Sequence, residues 1–558
     1  VTAAGLTETP DMAGAFPRLS EEQIATFEAQ GGRRAAPAGE VLVREGDTRY
    51  DFYVVLDGMV AVVAGHGTDE ERVLAVHGPG RFLGELSLIT GQPAFFTALV
   101  VEDAELLVVP VDRVRKVVAQ DQLLSDLILR AYLVRRDLLI GFGAGFRIIG
   151  SRYSPDARRL REFAARNRLP HRWTDLEGDP SAEELVRRLG VAPEETPVVI
   201  WGEQVLRNPR SAELARVAGL RHEDPDEHVC DLVVVGAGPA GLAASVYGAS
   251  EGLDTFTVDG VATGGQAGTS MRIENYLGFP AGISGSELAA RAAIQAEKFG
   301  ARIEVLAEAN GLDVDDGGYR LSLDDGTQVM ARTVVIATGV RYRRLDVPRL
   351  EEFEGSSVFY AATIVEAQMC AGDPVVVVGG GNSAGQASLF LSKHSVRVHL
   401  LVRDGDLGES MSRYLIDQIE RNPNVEVRLH HEVRELVGNR DLEAVVAEDN
   451  RTGETTPIPA RALFVFIGAE PHTRWLGDRL ALDPRGFILT GTDARTDGVE
   501  PLPLETTLPG VFAVGDVRCG SIKRVASAVG EGSMAVRLVH EHLANRRPGQ
   551  VQTKVSSK

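Results

Sequence analysis

Three cysteines in 558 residues are too few for a disulfide framework. They stand at Cys230, Cys370 and Cys519, so no two form a CxxC and none share a metal-ligand spacing. They read as reduced thiols of a cytoplasmic protein. No apolar run approaches the roughly 20 residues that a helix needs to cross a bilayer. The opening VTAAGLTETPDMAG has neither a basic start nor an apolar core, so no secretory signal is expected. Positive charge is also short. Lys and Arg number 59 against 79 Asp and Glu, a net charge of −20, which argues against nucleic acid or an anionic membrane as partner. The 12 histidines are scattered, and the pair His430-His431 has no further ligands nearby, so no metal site is expected. SMS (410–412) lacks the glycines of a hydrolase elbow. The basic stretch RRLREFAARNR reads as a solvated helix face.

Glycine is abundant, with 60 residues, and it clusters. At roughly 150 residues per domain the chain should hold three or four domains. Residues 12–140 begin as short alternating β runs broken by glycine turns (EVLVREG, DFYVVLDG, MVAVVAG, RVLAVHGPG, TALVVED, AELLVVP). They end in VDRVRKVVAQDQLLSDLILRAYLVRRDLL, whose three- and four-residue periodicity predicts one or two helices. That pattern is an antiparallel roll followed by helices. GFGAG (141–145) is a linker. Residues 146–222 form a small α/β unit: strands at FRIIGS, HRWTDLE and TPVVIWG, and helices over SPDARRLREFAARN, SAEELVRRLG and NPRSAELARVAGL. Ser154 is the expected N-cap of the first helix, with Pro155 in its first position. The polar stretch LRHEDPDEHVCD marks the next boundary. Residues 228–545 contain two strand–glycine–helix units.

The first of these units is GAGPAG (236–241), after DLVVV and before an alanine-rich helix. Gly236 permits the tight turn, Gly238 lets the backbone approach a pyrophosphate, and Gly241 lets the helix pack on the strand. Pro239 and Ala240 start the helix, whose unpaired N–H groups face the phosphates. Asp259 ends the second strand, TFTVDG, where an acid binds a ribose hydroxyl. The second unit is GGGNSA, with Gly379, Gly381, Asn382, Ser383 and Ala384, after PVVVV. Its second strand ends at Arg403 and Asp404. Arg403 suits a 2′-phosphate and Asp404 a ribose diol, and Arg413 is another phosphate contact, so NADH and NADPH both stay open.

With those residues in place, 228–545 resembles the low-molecular-weight thioredoxin reductases. The resemblance rests on GGQ (Gly264, Gly265, Gln266), IENYLGFP with Asn275, VVIATG with Thr338 and Gly339, and GVFAVGD followed by KRVASAVGEG. It implies FAD in the first fold and NADPH or NADH in the second. It implies that Gly515 belongs to the FAD-binding residues, that Asp516 binds the ribityl chain, and that Arg524, Val525 and Ala526 lie along the flavin. It divides the segment into a leading stretch of the FAD domain (228–345), an NAD(P) insertion (346–467) and a closing stretch of the FAD domain (468–545), in a homodimer. The family passes electrons on through a C-A-T-C dithiol. Aligned with it here is AATI (361–364), so Ala361 and Ile364 replace both sulfurs, and neither can store electrons.

The middle unit resembles glutaredoxins. Thr196-Pro197 stands where that fold has a cis proline, and SRYSP puts Ser151 and Ser154 in the cysteine positions. A docking or structural role follows. The N-terminal unit resembles cyclic-nucleotide-binding domains. FLGELSLITGQPAFFTA matches their phosphate cassette, which implies ligand contacts from Gly84, Glu85, Leu86 and Ser87. Phe96 stands where the family's phosphate-binding arginine is expected, and its loss should weaken cyclic-nucleotide affinity roughly ten- to a hundredfold or more.

The fold expected is therefore multidomain: a β-roll with helices, a thioredoxin-like α/β unit without cysteines, then tandem Rossmann-like FAD and NAD(P) domains. The function expected is NAD(P)H-to-FAD hydride transfer, with electrons passed to an unidentified external acceptor. No protein residue is needed as a catalytic acid or base. A small-molecule effector is expected at the roll. The alternative is a ligand-responsive regulatory or scaffold flavoprotein with little turnover.

Overall fold

The structure is a computed structural model that describes residues 5–68, 71–84, 92–202, 204–221, 229–270, 272–315, 317–354, 356–408, 410–439, 441–495 and 501–545. The chain divides into two compact units, Val1–Glu223 and Asp224–Lys558.

The first unit opens with helix α1 (Glu21–Glu28), closed at its start by a reciprocal Ser20–Gln23 capping box. This helix lies in the stretch that alternation assigned to strands. Strands β1 (Gly32–Ala36), β2 (Val41–Val43), β3 (Phe52–Ala64), β4 (Arg72–His77), β5 (Phe82–Leu83) and β6 (Thr97–Val109) form an antiparallel roll in the order β1-β6-β3-β4, with β2 on β6 and β5 on β3. Two pairs of runs that glycine and charge separate in the sequence are single 13-residue strands, β3 and β6. They bend through register shifts around Asp57 and Met59 instead of turning. Gly58 is required there, since a Cβ would sit 2.3 Å from Asp103 O. Two helices follow, α2 (Val111–Gln120) and α3 (Gln122–Gly141), the second capped by Asp121.

The rest of this unit is a four-stranded sheet. Strands β7 (Phe146–Gly150), β8 (His171–Asp175), β9 (Val198–Trp201) and β10 (Gln204–Arg207) run in the order β10-β9-β7-β8. β7 and β8 are parallel, β9 runs antiparallel to β7, and β10 runs antiparallel to β9. Helices α4 (Pro155–Arg166), α5 (Pro180–Arg188) and α6 (Ser211–Val217) complete it, with Ser154 capping α4 and Pro155 in its first turn. β10 has four residues and two polar ends, too little pattern to stand out in the sequence. Phe95 packs on Trp201 and Phe146, at centroid distances of 5.6 and 5.9 Å, and so ties the roll to this sheet.

At the same junction Glu45 is half-buried and its carboxyl accepts the Gly65 N–H. Burial pushes its pKa from 4.5 up to about 7. The folded chain thus keeps a proton that the unfolded chain has released across that interval. Stability from this group falls as pH rises from about 4.5 to 7, and the loss is complete above 7. Allowing for solvent at its rim, the loss is about 2 kcal/mol. Melting curves at pH 5.5 and 8 should show a drop of several degrees in the parent that is absent in Glu45→Gln.

The second unit holds a mixed sheet with a parallel core and a fully parallel sheet. In the first, β11 (Cys230–Val235), β12 (Thr255–Asp259), β13 (Arg302–Val305), β14 (Ala309–Asp315), β15 (Gly318–Leu323) and β16 (Gln328–Ile336) run in the order β13-β12-β11-β16-β15-β14. Helices α7 (Pro239–Ser250) and α8 (Gly285–Lys298) cross over it. β17 (Val340–Tyr342) leaves this fold. The second sheet contains β18 (Val358–Phe359), β19 (Pro374–Val378), β20 (Arg397–Val402), β21 (Val425–Leu429) and, after the meander β22 (His431–Gly438), β23 (Leu442–Asp449) and β24 (Thr455–Pro459), the strand β25 (Ala462–Val465). Its order is β18-β25-β19-β20-β21. Helices α9 (Ile364–Met369), α10 (Asn382–Leu391) and α11 (Arg413–Glu420) belong to it. β26 (Ala469–Pro471) pairs with β17, so the chain leaves and re-enters the first fold through one two-stranded ladder. β27 (Val511–Ala513) then joins β16, and α12 (Val525–Asn545) closes the chain. Valine-rich β11, β16 and β19 are buried on both faces, as parallel central strands must be. Among the described residues no helix is long and apolar enough to cross a membrane.

Candidate functional site: two glycine cradles

The first cradle is built at the carboxyl end of β11. Gly236 has φ +106°, and a Cβ there would lie 2.4 Å from Ala337 O. At Gly241 a Cβ would lie 1.8 Å from Gly236 O, so glycine alone lets α7 start against the turn. Gly238 differs: the nearest atom to a Cβ is Gly265 Cα at 4.0 Å, which leaves an open backbone face. Two glycines serve packing and one serves access, the division that pyrophosphate binding requires. Helix α7 opens there with Pro239 in its first turn and no side-chain cap, so its first N–H groups are free for an anion. Ala240 is buried against the last helix, where a Cβ on Gly532 would meet Ala240 O at 2.1 Å.

The other predicted residues gather round this turn. Gly264 N–H donates to Ala237 O at 2.7 Å, and a Cβ on Gly265 would meet Gly238 Cα at 3.1 Å. Gln266 Nε2 donates to Val340 O at 3.2 Å. Thr338 Oγ1 donates to His472 O at 2.9 Å, and His472 N–H returns to Gly339 O at 3.0 Å. Gly515 has φ +70° and packs beside Ala240. Asp516 follows it, half-buried, with burial pushing its carboxyl pKa up against the opposing charge of Lys523. Arg524 is exposed just ahead of α12, Val525 begins that helix, and Ala526 is exposed. Asn275 sits on an exposed bend of the loop that the Ile273–Ile283 bridge closes.

Asp259, expected at a ribose hydroxyl, ends β12 and also serves the fold. Its carboxylate accepts the N–H groups of Ala237, Val261 and Ala262 at 2.8, 2.9 and 3.0 Å. It therefore pins the glycine turn to the loop after β12. Sequence reading also passed over Glu531. Its carboxylate accepts Gly515 N–H at 2.7 Å and pairs with Arg518 at 2.6 Å, which fixes the Gly515–Asp516 turn. The signal was the GEG of the closing motif. His472 left no sequence signal, because it acts through its backbone.

The second cradle repeats the design. Gly379 has φ +139°, and a Cβ there would lie 2.3 Å from Phe466 O. Gly381 faces open space, with Ser410 O 3.9 Å from a Cβ, and Ala384 is fully buried. Asn382 Oδ1 accepts Ser412 N–H at 2.7 Å, tying the turn to α11, and Ser383 is exposed. Arg403 and Asp404 lie just past β20 and approach each other at 3.5 Å. Arg413 pairs with Asp417 at 2.8 Å. His430 lies in the turn between β21 and β22, with φ +61°.

Nearby, Ala361 is half-buried and Ile364 exposed at the start of α9. The three cysteines are free thiols. Burial, with Asp254 adding, pushes Cys230 to about 11, and burial pushes Cys370 to about 11. Burial and Asp483 raise Cys519 as well. None is an activated thiolate. Among the described residues no group of His, Cys, Asp or Glu is placed to hold a metal.

In the first unit Gly84 has φ +103°, and a Cβ would meet Asp51 O at 2.5 Å. Glu85, Leu86 and Ser87 lie outside the described residues. Phe96 is buried. Ser151 Oγ donates to Glu177 at 2.6 Å, Ser154 caps α4, and the Thr196–Pro197 peptide is cis.

Residues 230–532 match the family described as pyridine nucleotide-disulphide oxidoreductase, and residues 33–121 match the cyclic nucleotide-binding domain. The chain is 31% identical over 312 residues to a thioredoxin reductase of Mycoplasmopsis pulmonis, covering 56% of this chain and 96% of that one. It is 31% identical over 321 residues to a 34.2 kDa protein in the rubredoxin operon of Clostridium pasteurianum, covering 58% and 99%. Among solved structures, the thioredoxin reductase of T. acidophilum is 30% identical with a TM-score of 0.53, over 57% of this chain and all of that one. That of Lactococcus lactis is 26% identical with a TM-score of 0.53 and the same coverage.

Proposed function

Since the chain belongs to the pyridine nucleotide-disulphide oxidoreductases, in their thioredoxin reductase-like branch, we propose that it oxidises NADPH or NADH and gives the electrons to an acceptor outside the chain. FAD, which the family implies, supplies the chemistry of taking a hydride and releasing electrons singly or in pairs. The first cradle suits it: Gly238 and Gly265 leave open backbone where a Cβ would intrude, and α7 presents uncapped N–H groups to a diphosphate. Gly264, Gln266, Thr338, Gly339, Asp516 and Arg524–Ala526 would hold the rest of the cofactor, while Asp259 and Glu531 position the loops. The second cradle, at Gly381, Asn382 and Ser383 with Arg403, would hold the nicotinamide cofactor. The protein's contribution is to fix two rings in contact and to exclude water. No side chain need move a proton for that.

The carrying observation is the pairing of two open cradles with Ala361 and Ile364 and no CxxC anywhere in the sequence. The small α/β unit, whose strand order and cis Thr196–Pro197 support the glutaredoxin-like reading, would serve as a docking or structural module. The test is anaerobic stopped flow with each nicotinamide in turn. Loss of the flavin's visible absorbance, followed by turnover with dichlorophenolindophenol, is the expected result. A flavin left oxidised by both cofactors would refute the proposal and favour the regulatory alternative.

A further inference from the structure

Two side chains that line one apolar cavity in the first unit, His77 and Arg136, each carry a buried nitrogen without a hydrogen-bond partner, Nδ1 and Nε. The cavity, of about 40 Å³, lies between the inner face of the roll and α3. Val62, Leu74 and Phe96 form its apolar wall, and Tyr132 and Arg135 flank Arg136 on the helix side. No Asp or Glu is among its described lining residues.

Both nitrogens belong to side chains nine-tenths buried or more. His77 is 1% exposed and Arg136 is 8% exposed. Phe16 packs edge-on to the imidazole at 5.5 Å. Burial, with Arg135 and Arg81 adding, holds His77 well below its ordinary pKa, so it is neutral with one N–H to give. The Arg136 guanidinium contacts Tyr132 Oη at 2.5 Å and reaches Asn167 O and Arg168 O only at 3.4 Å. Among the described residues no carboxylate neutralises it. A buried cation and an unused donor around an apolar space form an acceptor site for an anion with an apolar body.

Size narrows the class. A cavity of about 40 Å³ holds roughly three waters, far below the ~300 Å³ of a typical drug-sized ligand pocket. Phe96 adds bulk where the resemblance expects a phosphate-binding arginine. We propose that this cavity binds a short-chain monocarboxylate of about two to four carbons, its oxygens on Arg136 Nε and His77 Nδ1 and its alkyl end against Phe96 and Leu74. The inference rests on the reading of the roll as a small-molecule module and names the class that it takes. Because Arg136 also reaches the carbonyls after α4, ligand and small α/β unit share one guanidinium.

The test uses the full-length flavoprotein and thermal melts with acetate, propionate, butyrate, hexanoate and cAMP. Saturable stabilisation by propionate and butyrate, weaker with hexanoate, is expected. Arg136→Gln and His77→Phe should each weaken it roughly ten- to a hundredfold, and Arg136→Lys should keep some of it. An unchanged flavin spectrum and parent-like melting without ligand show that each variant folds. Stabilisation that is equal in parent and Arg136→Gln overturns the site. Stabilisation by cAMP alone overturns the inference and leaves the module reading standing. Silence from every ligand overturns both.

Discussion

Replacing Gly241 by valine is expected to give a chain that purifies without FAD and melts well below the parent. The reason is local and steric. A Cβ at this position would lie 1.8 Å from Gly236 O and 3.3 Å from Ala337 Cβ. Neither Gly236 nor Ala337 can yield, because each directly follows a buried parallel strand. Helix α7 must therefore back away, which breaks its packing on the sheet and withdraws its N-terminus from the phosphates. Overpacking of this kind costs about 1–3 kcal/mol or more. Gly238→Ala separates the two effects. Its Cβ meets nothing nearer than 4.0 Å in the protein. The apo fold should melt as the parent's does, while FAD affinity falls by at least about tenfold, since the methyl group enters the space left for the diphosphate. Flavin content per chain and apo melting curves check both variants. Full flavin loading in Gly241→Val would show that the turn is not the cofactor's cradle.

The second large effect concerns thiols. With thioredoxin as acceptor, NAD(P)H oxidation is expected to stay at background, whereas an artificial acceptor such as dichlorophenolindophenol is turned over. Ala361 and Ile364 occupy the positions that the resemblance gives to the dithiol, and neither forms or breaks an S–S bond. The remaining cysteines cannot substitute. Cys230 and Cys370 are buried, with pKa values pushed to about 11, so the thiolate fraction near neutral pH is minute. Cys519 is more open, but burial and Asp483 disfavour its thiolate too. A standard disulfide-reduction assay with robust turnover would show that another route to the partner disulfide exists.

Much of the fold was legible in the sequence because the deciding features are local. GAGPAG and GGGNSA carry their own geometry, and the valine runs before them can only be central parallel strands. Ser154 and Pro155 announce the start of α4. Other features were not legible, for physical reasons. The bends in β3 and β6 depend on register shifts that no run of residues displays. Asp259 reads as a ribose acid from its place at a strand end, yet its bonds to three backbone N–H groups arise only when two distant turns meet. His472 works through its backbone N–H and carbonyl, which nearly every residue has. The His77–Arg136 cavity joins a strand to a helix some sixty residues later, and nothing in either stretch marks the pairing.

The most direct measurement is anaerobic stopped flow on the variant carrying Cys230→Ala, Cys370→Ala and Cys519→Ala, loaded with FAD. The account predicts that NADPH or NADH reduces its flavin as fast as in the parent, within about twofold, and that dichlorophenolindophenol then reoxidises it at the parent rate. Loss of reoxidation in this variant, with flavin reduction intact, would mean that electrons leave through a cysteine after all.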